Sequence, residues 1–199
     1  AWCWDEHFLD FFADNGYRAL ALSLRGHGRS ATDKKLGRLS IADYVDDVRT
    51  VAETLPTPPV VIGHSMGGHG ALTLALRHPD LYRSVSAFSP ISHPSRCPWG
   101  QKALGAYLGN NPLLWQEWDA CQLLRHHDSP PLPTLVDVGL DDPFLAEQLG
   151  IDTLAEVAAT RAWPLTLNRH AGYDHSYYFV ASFIEAHLRF HANHLGEPA

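Results

Sequence analysis

The sequence has no apolar run approaching the roughly 20 residues a membrane-spanning helix requires, so no helical span is expected. Positive charge is also short: 15 Lys and Arg stand against 22 Asp and Glu, a formal charge of −7. Without a cationic excess the chain lacks the electrostatic footprint that phosphate backbones exploit, and nucleic acid is not an expected partner. Cysteine is scarce. Cys3, Cys97 and Cys121 are odd in number and nowhere form C-x-x-C, which indicates neither a disulfide framework nor a thiolate zinc site. Ala1 to Trp4 carry no basic segment leading into an apolar core, so no secretory leader is expected and a cytoplasmic location fits. What remains is globular chemistry, 45% hydrophobic and 11% aromatic over 199 residues, enough for a single domain spanning 1–199.

Periodicity orders the chain into alternating helices and strands. Phe8, Leu9, Phe11, Phe12 and Ala13 fall at helical spacing within residues 5–15, and Gly16 follows as a stop. Residues 17–24 alternate apolar with small or polar side chains and predict a strand, followed by the loop Arg25-Gly-His-Gly-Arg-Ser30. Ser40 suits an N-cap for an amphipathic helix over 41–55, ended by Pro56 and Pro58. Val60-Val-Ile62 has the uncharged, β-branched character of a strand buried on both faces. Helices are expected at 70–78, 146–162 and 176–194, and strands at 84–88, 134–138 and 165–168. Residues 90–128, with prolines, glycines and Trp99, Trp115 and Trp118, are expected to be irregular and to form a lid or pocket wall. Strand and helix in alternation imply an α/β class, a mostly parallel sheet with helices on both faces.

One turn carries chemistry. Gly63-His-Ser-Met-Gly67 fits G-x-S-x-G directly after a buried-type strand and before a helix, the context in which a sharp turn presents a serine hydroxyl at the carboxyl edge of a sheet. Ser65 is the candidate nucleophile, and the Met66 N–H at the helix start is a candidate oxyanion donor. A serine hydroxyl needs a histidine base, which needs a carboxylate to fix its tautomer. The strand 134–138 runs into Gly139-Leu-Asp-Asp142, which offers Asp142 ahead of Asp141; Asp137 lies inside the strand and reads as structural. Thirteen histidines dilute any single one, but His175 occupies the loop between the last strand and the last helix. It is the best-placed base. His64 is expected to point elsewhere on the tight turn, and His27 has the wrong chain order. His187, His191 and His194 share a helix face without an H-E-x-x-H pattern, so a solvated face is favoured over a metal site.

From Gly63 onward the chain resembles the S-formylglutathione hydrolase (esterase D) family. The resemblance is carried by Gly63-His-Ser-Met-Gly-Gly-His-Gly-Ala-Leu72, Tyr82-Arg-Ser-Val-Ser-Ala-Phe-Ser-Pro90, Cys97-Pro-Trp-Gly100 and Gly172-Tyr-Asp-His-Ser-Tyr-Tyr-Phe179. It implies an α/β-hydrolase fold, the triad Ser65, Asp142 and His175, no cofactor or metal, a homodimer, and hydrolysis of S-formylglutathione through an acyl-enzyme. A short-chain carboxylesterase and a non-catalytic, truncated or hybrid scaffold remain the alternatives. Residues 1–62, with Leu24-Arg-Gly-His-Gly-Arg-Ser30 and Ser40-Ile-Ala-Asp-Tyr-Val-Asp-Asp-Val48, instead resemble lipase and haloperoxidase-type hydrolases, so the chain reads as a hybrid. In both families further strands come first, and one of them would lie between 17–24 and 60–62. On that reading N-terminal strands are missing, 17–24 is expected to pair directly with 60–62, and Ala1 or Trp2 would supply the second oxyanion donor. A poorly fixed donor at that position implies a complete triad with turnover reduced by about 10²–10³.

Overall fold

In the computed structural model, which describes residues 4–5, 8–35 and 38–195, four short strands form the sheet. They are β1 (Val61–His64), β2 (Val85–Phe88), β3 (Thr134–Gly139) and β4 (Leu165–His170), all parallel and in the order β1-β2-β3-β4. Around them lie α1 (Leu9–Asp14), α2 (Ile41–Glu53), α3 (Met66–Arg77), α4 (Pro98–Leu108), α5 (Pro112–Gln116), α6 (Ala120–Arg125), α7 (Ile151–Thr160) and α8 (Tyr177–Leu195). The expected α/β class holds, and no described helix is long and apolar enough to cross a membrane.

Each strand sends alternate side chains to opposite faces, as the pleat requires. Val85, Ala87, Val136 and Val138 meet α3, α6 and α7 in one core that also holds Leu72, Leu124 and Leu154. Phe88 and Ile62 turn the other way, into an aromatic core with Phe8, Phe12, Phe179, Val180 and Ile184 from α1 and α8. Ser40 caps α2 as its sequence suggests, accepting from Asp43 N at 3.2 Å while Asp43 accepts from Ser40 N at 2.8 Å, a reciprocal capping box.

Four expectations need correction. Residues 17–24 form no strand: Tyr17 and Ala19 do pack inward on the aromatic core, but no ladder partner joins them to β1, so the described sheet has four strands and not five. Alternation gives a segment its extended shape; only a neighbour with matching free N–H and C=O groups makes it a strand. Residues 90–128 are largely helical, containing α4, α5 and α6, with Pro98 and Pro112 at the first helical positions, where proline's lost N–H has no partner to lose. The helix expected over 146–162 is a π-turn at Leu145–Leu149 and then α7, broken at Gly150. Finally, His187 and His191 are not on a solvated face; both are buried.

The burial of those histidines has a partner on β2. The same alternation that points Phe88 at α8 points Ser84 and Ser86 there too, and a hydroxyl buried without a partner costs about 1–3 kcal/mol. His191 bridges them, Nε2 lying 2.8 Å from Ser86 Oγ and Nδ1 2.7 Å from Ser84 Oγ, while His187 Nδ1 lies 2.8 Å from Ser86 Oγ. Asp137 continues the layer from β3, accepting from His170 Nε2 at 2.9 Å and Asn168 Nδ2 at 2.8 Å. It is structural, as its place inside the strand suggests. Burial would raise its carboxyl pKa, and the attraction of nearby His187 with the hydrogen bonds from Asn168 and His170 brings it below the ordinary value.

Burial drives His191 down to about 3 and His69 to about 4, and it lowers His187 against the pull of Asp137. Above pH of about 6.5 these rings are neutral folded or unfolded; below it the unfolded chain binds protons that the folded chain refuses. Stability is therefore expected to fall as pH drops from 7 to 5, with each such ring contributing a slope of up to about 1.4 kcal/mol per pH unit. Urea midpoints measured across that range check this; a flat profile contradicts it.

Candidate active site

Ser65 follows β1 and caps α3 with φ 54° and ψ −118°, a backbone conformation that costs a non-glycine residue about 1–3 kcal/mol. Its backbone holds the turn from both sides: Ser65 N donates to Phe88 O at 2.9 Å, extending the ladder to β2, and Ser65 O accepts from His69 N at 3.0 Å, starting α3. The turn closes so tightly that a Cβ on Gly63 would overlap the carbonyl of Gly67, whereas a Cβ on Gly67 would meet nothing within 4 Å. Met66 opens α3, half-exposed, and its N–H has no backbone acceptor among the described residues.

The loops after β3 and β4 are joined to each other. Leu140 N donates to His170 O at 2.8 Å and Asp141 N to Tyr173 O at 2.9 Å, and a side chain on Gly139 would overlap the Tyr173 carbonyl. Joining them brings Asp142 to His175. His175 Nδ1 donates to Asp142 Oδ2 at 2.6 Å, and Asp142 Oδ1 accepts from Phe144 N at 2.8 Å. The Asp142 side chain is 0% exposed and that of His175 15%. Asp141 is exposed and takes no part.

Ser65, Asp142 and His175 thus follow β1, β3 and β4 at the same carboxyl edge of the sheet. The His64 ring lies 4.8 Å from that of His175 and 5.1 Å from that of Tyr177, so the expectation that His64 points away is wrong. In a parallel ladder His64 pairs with Phe88 and shares its α8-facing side, and α8 begins at the His175 loop. Ser65 Oγ makes no hydrogen bond among the described residues; catalytic hydrogen bonds often tighten only when substrate binds.

Sequence reasoning missed the ring contacts around the base. Phe144 meets His175 edge-on at 5.1 Å, and Trp99 from α4 leans on Phe144 at 4.5 Å, with Trp99 N held by Gln148 Oε1 at 3.0 Å. Trp115 and Trp118 do other work: Trp115 Nε1 donates to Gly109 O at 2.8 Å, and Arg77 covers Trp118 at 4.2 Å. His27 stays in its loop beside Tyr44. Ala1 and Trp2 lie outside the described residues.

Residues 40–190 match the family described as "Putative esterase". The chain belongs to this esterase family. The match begins upstream of Gly63, where the sequence resemblance changes character. An S-formylglutathione hydrolase from Arabidopsis thaliana is 43% identical over 174 residues, covering 83% of this chain and 61% of the relative. An S-formylglutathione hydrolase from Agrobacterium tumefaciens superposes with a TM-score of 0.64 at 44% identity, covering 68% of this chain and 48% of that one. The fluorophosphonate-binding serine hydrolase FphF from Staphylococcus aureus, at 20% identity, has a TM-score of 0.61 over 74% of this chain and 63% of its own, a likeness of fold alone. The chain therefore spans about three fifths of the Arabidopsis relative and about half of the Agrobacterium one.

His93, Asp119 and Cys121 are the group among the described residues whose ligand atoms lie within 4.8 Å of one another. Hydrogen bonds account for the carboxylate: Asp119 Oδ2 accepts from His93 Nδ1 at 2.7 Å and Ser95 N at 2.9 Å, and Oδ1 caps α6 through Gln122 N at 3.0 Å. The group ties the loop after β2 to α6. Burial raises the Cys121 thiol to about 12.

The two glycines of the elbow separate in a test of stability. Gly63→Ala is expected to cost about 2–4 kcal/mol through overlap with fixed backbone. Gly67→Ala, in open space within a helix, should stay within about 1 kcal/mol and lean toward stabilising. Urea denaturation of both variants checks the contrast.

Proposed function

We propose that the chain carries the acyl-transfer site of a serine hydrolase that cleaves thioesters, with S-formylglutathione the substrate and formate and glutathione the products. The reading rests on the Asp142–His175 hydrogen bond at the sheet edge where Ser65 is held on its strained turn. Ser65 Oγ attacks the acyl carbonyl while His175 Nε2 takes the proton, and Asp142 holds the Nδ1–H tautomer and stabilises the imidazolium. The Met66 N–H, aligned with the start of α3, donates to the oxyanion. His175 returns the proton to the departing sulfur. Water, activated by the same imidazole, then frees the acid and restores Ser65. No step calls on a metal or an organic cofactor.

The thioester substrate is supported by the names of the two relatives at 43% and 44% identity. A short-chain ester would pass through the same steps and is the second reading, favoured by the open approach at Met66 and Trp99, both more than two fifths exposed. Segment 90–128 serves as a pocket wall, with Trp99 reaching the base through Phe144. Buried, unpaired Cys97 and Cys121 fit a reducing, cytoplasmic setting, and a homodimer follows from the resemblance alone.

Intact-mass measurement after treatment with a fluorophosphonate is expected to add one label to the chain and none to Ser65→Ala. Ser65→Ala and His175→Ala should each lower kcat for S-formylglutathione about 10⁴-fold or more. Equal or reversed preference for a p-nitrophenyl ester over S-formylglutathione counts against the thioester assignment, and absence of labelling counts against the hydrolase itself.

A further inference from the structure

The imidazole of His64 has no role in the proton transfers above, yet its ring lies 4.8 Å from that of His175. It belongs to β1, so its backbone is fixed by the ladder to Phe88. The side chain is enclosed: His175 lies 4.8 Å away at 39°, Tyr177 meets it edge-on at 5.1 Å, and Nε2 is buried with no hydrogen-bond partner. With no hydrogen bond to that nitrogen, ring packing is what holds the side chain in place. What His64 provides here is a flat surface. His175 is tethered at one point by Asp142 Oδ2 and touched edge-on by Phe144 at 5.1 Å; the His64 ring, at the end of β1, adds a third contact.

We infer that His64 is a positioning residue, whose buried ring fixes the plane of the His175 imidazole and keeps water from it, and this rests on the hydrolase reading. The ring must stay uncharged to do so, because a second cation beside a forming imidazolium would oppose proton transfer. Burial, followed by the charge of His175, lowers His64 to about 4, against the pull of Asp142 and of the His175 backbone. The other titratable groups facing this corner are Asp142 after β3, Asp174 in the loop of the base itself, and Tyr177 at the start of α8.

The test compares His64→Ala and His64→Phe with the unaltered chain, normalising every rate to sites titrated by fluorophosphonate at Ser65. Removing the ring is expected to lower kcat about 10–100-fold, as small misplacements of reacting groups do, with KM changed less than about twofold. His64→Phe keeps the flat surface, loses an unbonded nitrogen, and should recover most of the loss in kcat, which a merely structural filling of space by a smaller side chain would not. Equal rates per titrated site in His64→Ala and the unaltered chain overturn the inference, as does a phenylalanine variant no better than the alanine one. If the unaltered chain does not label at Ser65, the hydrolase reading falls first and this one with it.

Discussion

The 2.6 Å hydrogen bond between His175 and Asp142 joins two loops that come from different strands, and it forms only because those strands are neighbours in register. β3 and β4 run parallel with Gly139 opposite His170, so the two chains leave the sheet side by side. The backbone then fastens them, through Leu140 to His170 and Asp141 to Tyr173, before either functional side chain is placed. A pair of loops held by main-chain bonds presents Asp142 and His175 with little freedom left to lose. That is the economy of building a site at the carboxyl edge of a parallel sheet, where crossover connections bring separate strand ends together.

Beneath this edge the sheet is not a purely apolar layer. Ser84 just before β2, Ser86 on it and Asp137 on β3 all face α8, where an all-aliphatic core would leave them unsatisfied. His187 and His191, four residues apart on one side of the helix, answer the serines, and His187 Nε2 stands 3.6 Å from Asp137, near enough for electrostatic attraction though too far for a hydrogen bond. The consequence is registry. Aliphatic side chains tolerate sliding of a helix over a sheet, but a ladder of Ser–His–Ser bonds with fixed directions admits one position. Since α8 begins at the loop of His175, fixing α8 also fixes that loop.

Much of this could be read in the chain before any coordinates. The strand–turn–helix around Ser65 follows from local chemistry: β-branched residues, two glycines and a helix-forming run adjoin one another within a few positions. Asp142 and His175 follow from strand ends and chain order, which are also nearly local. What escaped was set by partners distant in sequence. Residues 17–24 have the alternation of a strand, and whether it becomes one depends on a neighbour that periodicity does not show. The spacing of His187 and His191 marked a shared face without saying whether that face meets water or serines. A signal was present in Ser84-Val-Ser-Ala-Phe88, where serines occupy alternate positions of a buried-type strand and demand polar partners from whatever covers them. His64 was misjudged for a similar reason: direction on a tight turn is decided by which side of β2 the preceding strand matches, here that of Phe88.

The strain at Ser65 closes the argument about why the site takes this form. An unfavourable backbone of about 1–3 kcal/mol persists only where its surroundings leave no alternative. On one side the ladder bond to Phe88 holds the nitrogen of Ser65; on the other the bond from His69 holds its carbonyl, and the bare Gly63 lets the Gly67 backbone come close enough for both to form together. Relaxing Ser65 would break one of these bonds and shift either β1 or the start of α3, moving His64 from the face of His175 or the Met66 N–H from the end of its helix. Strand, helix and base would all have to yield for one torsion angle to relax, which is how a costly conformation is kept in place.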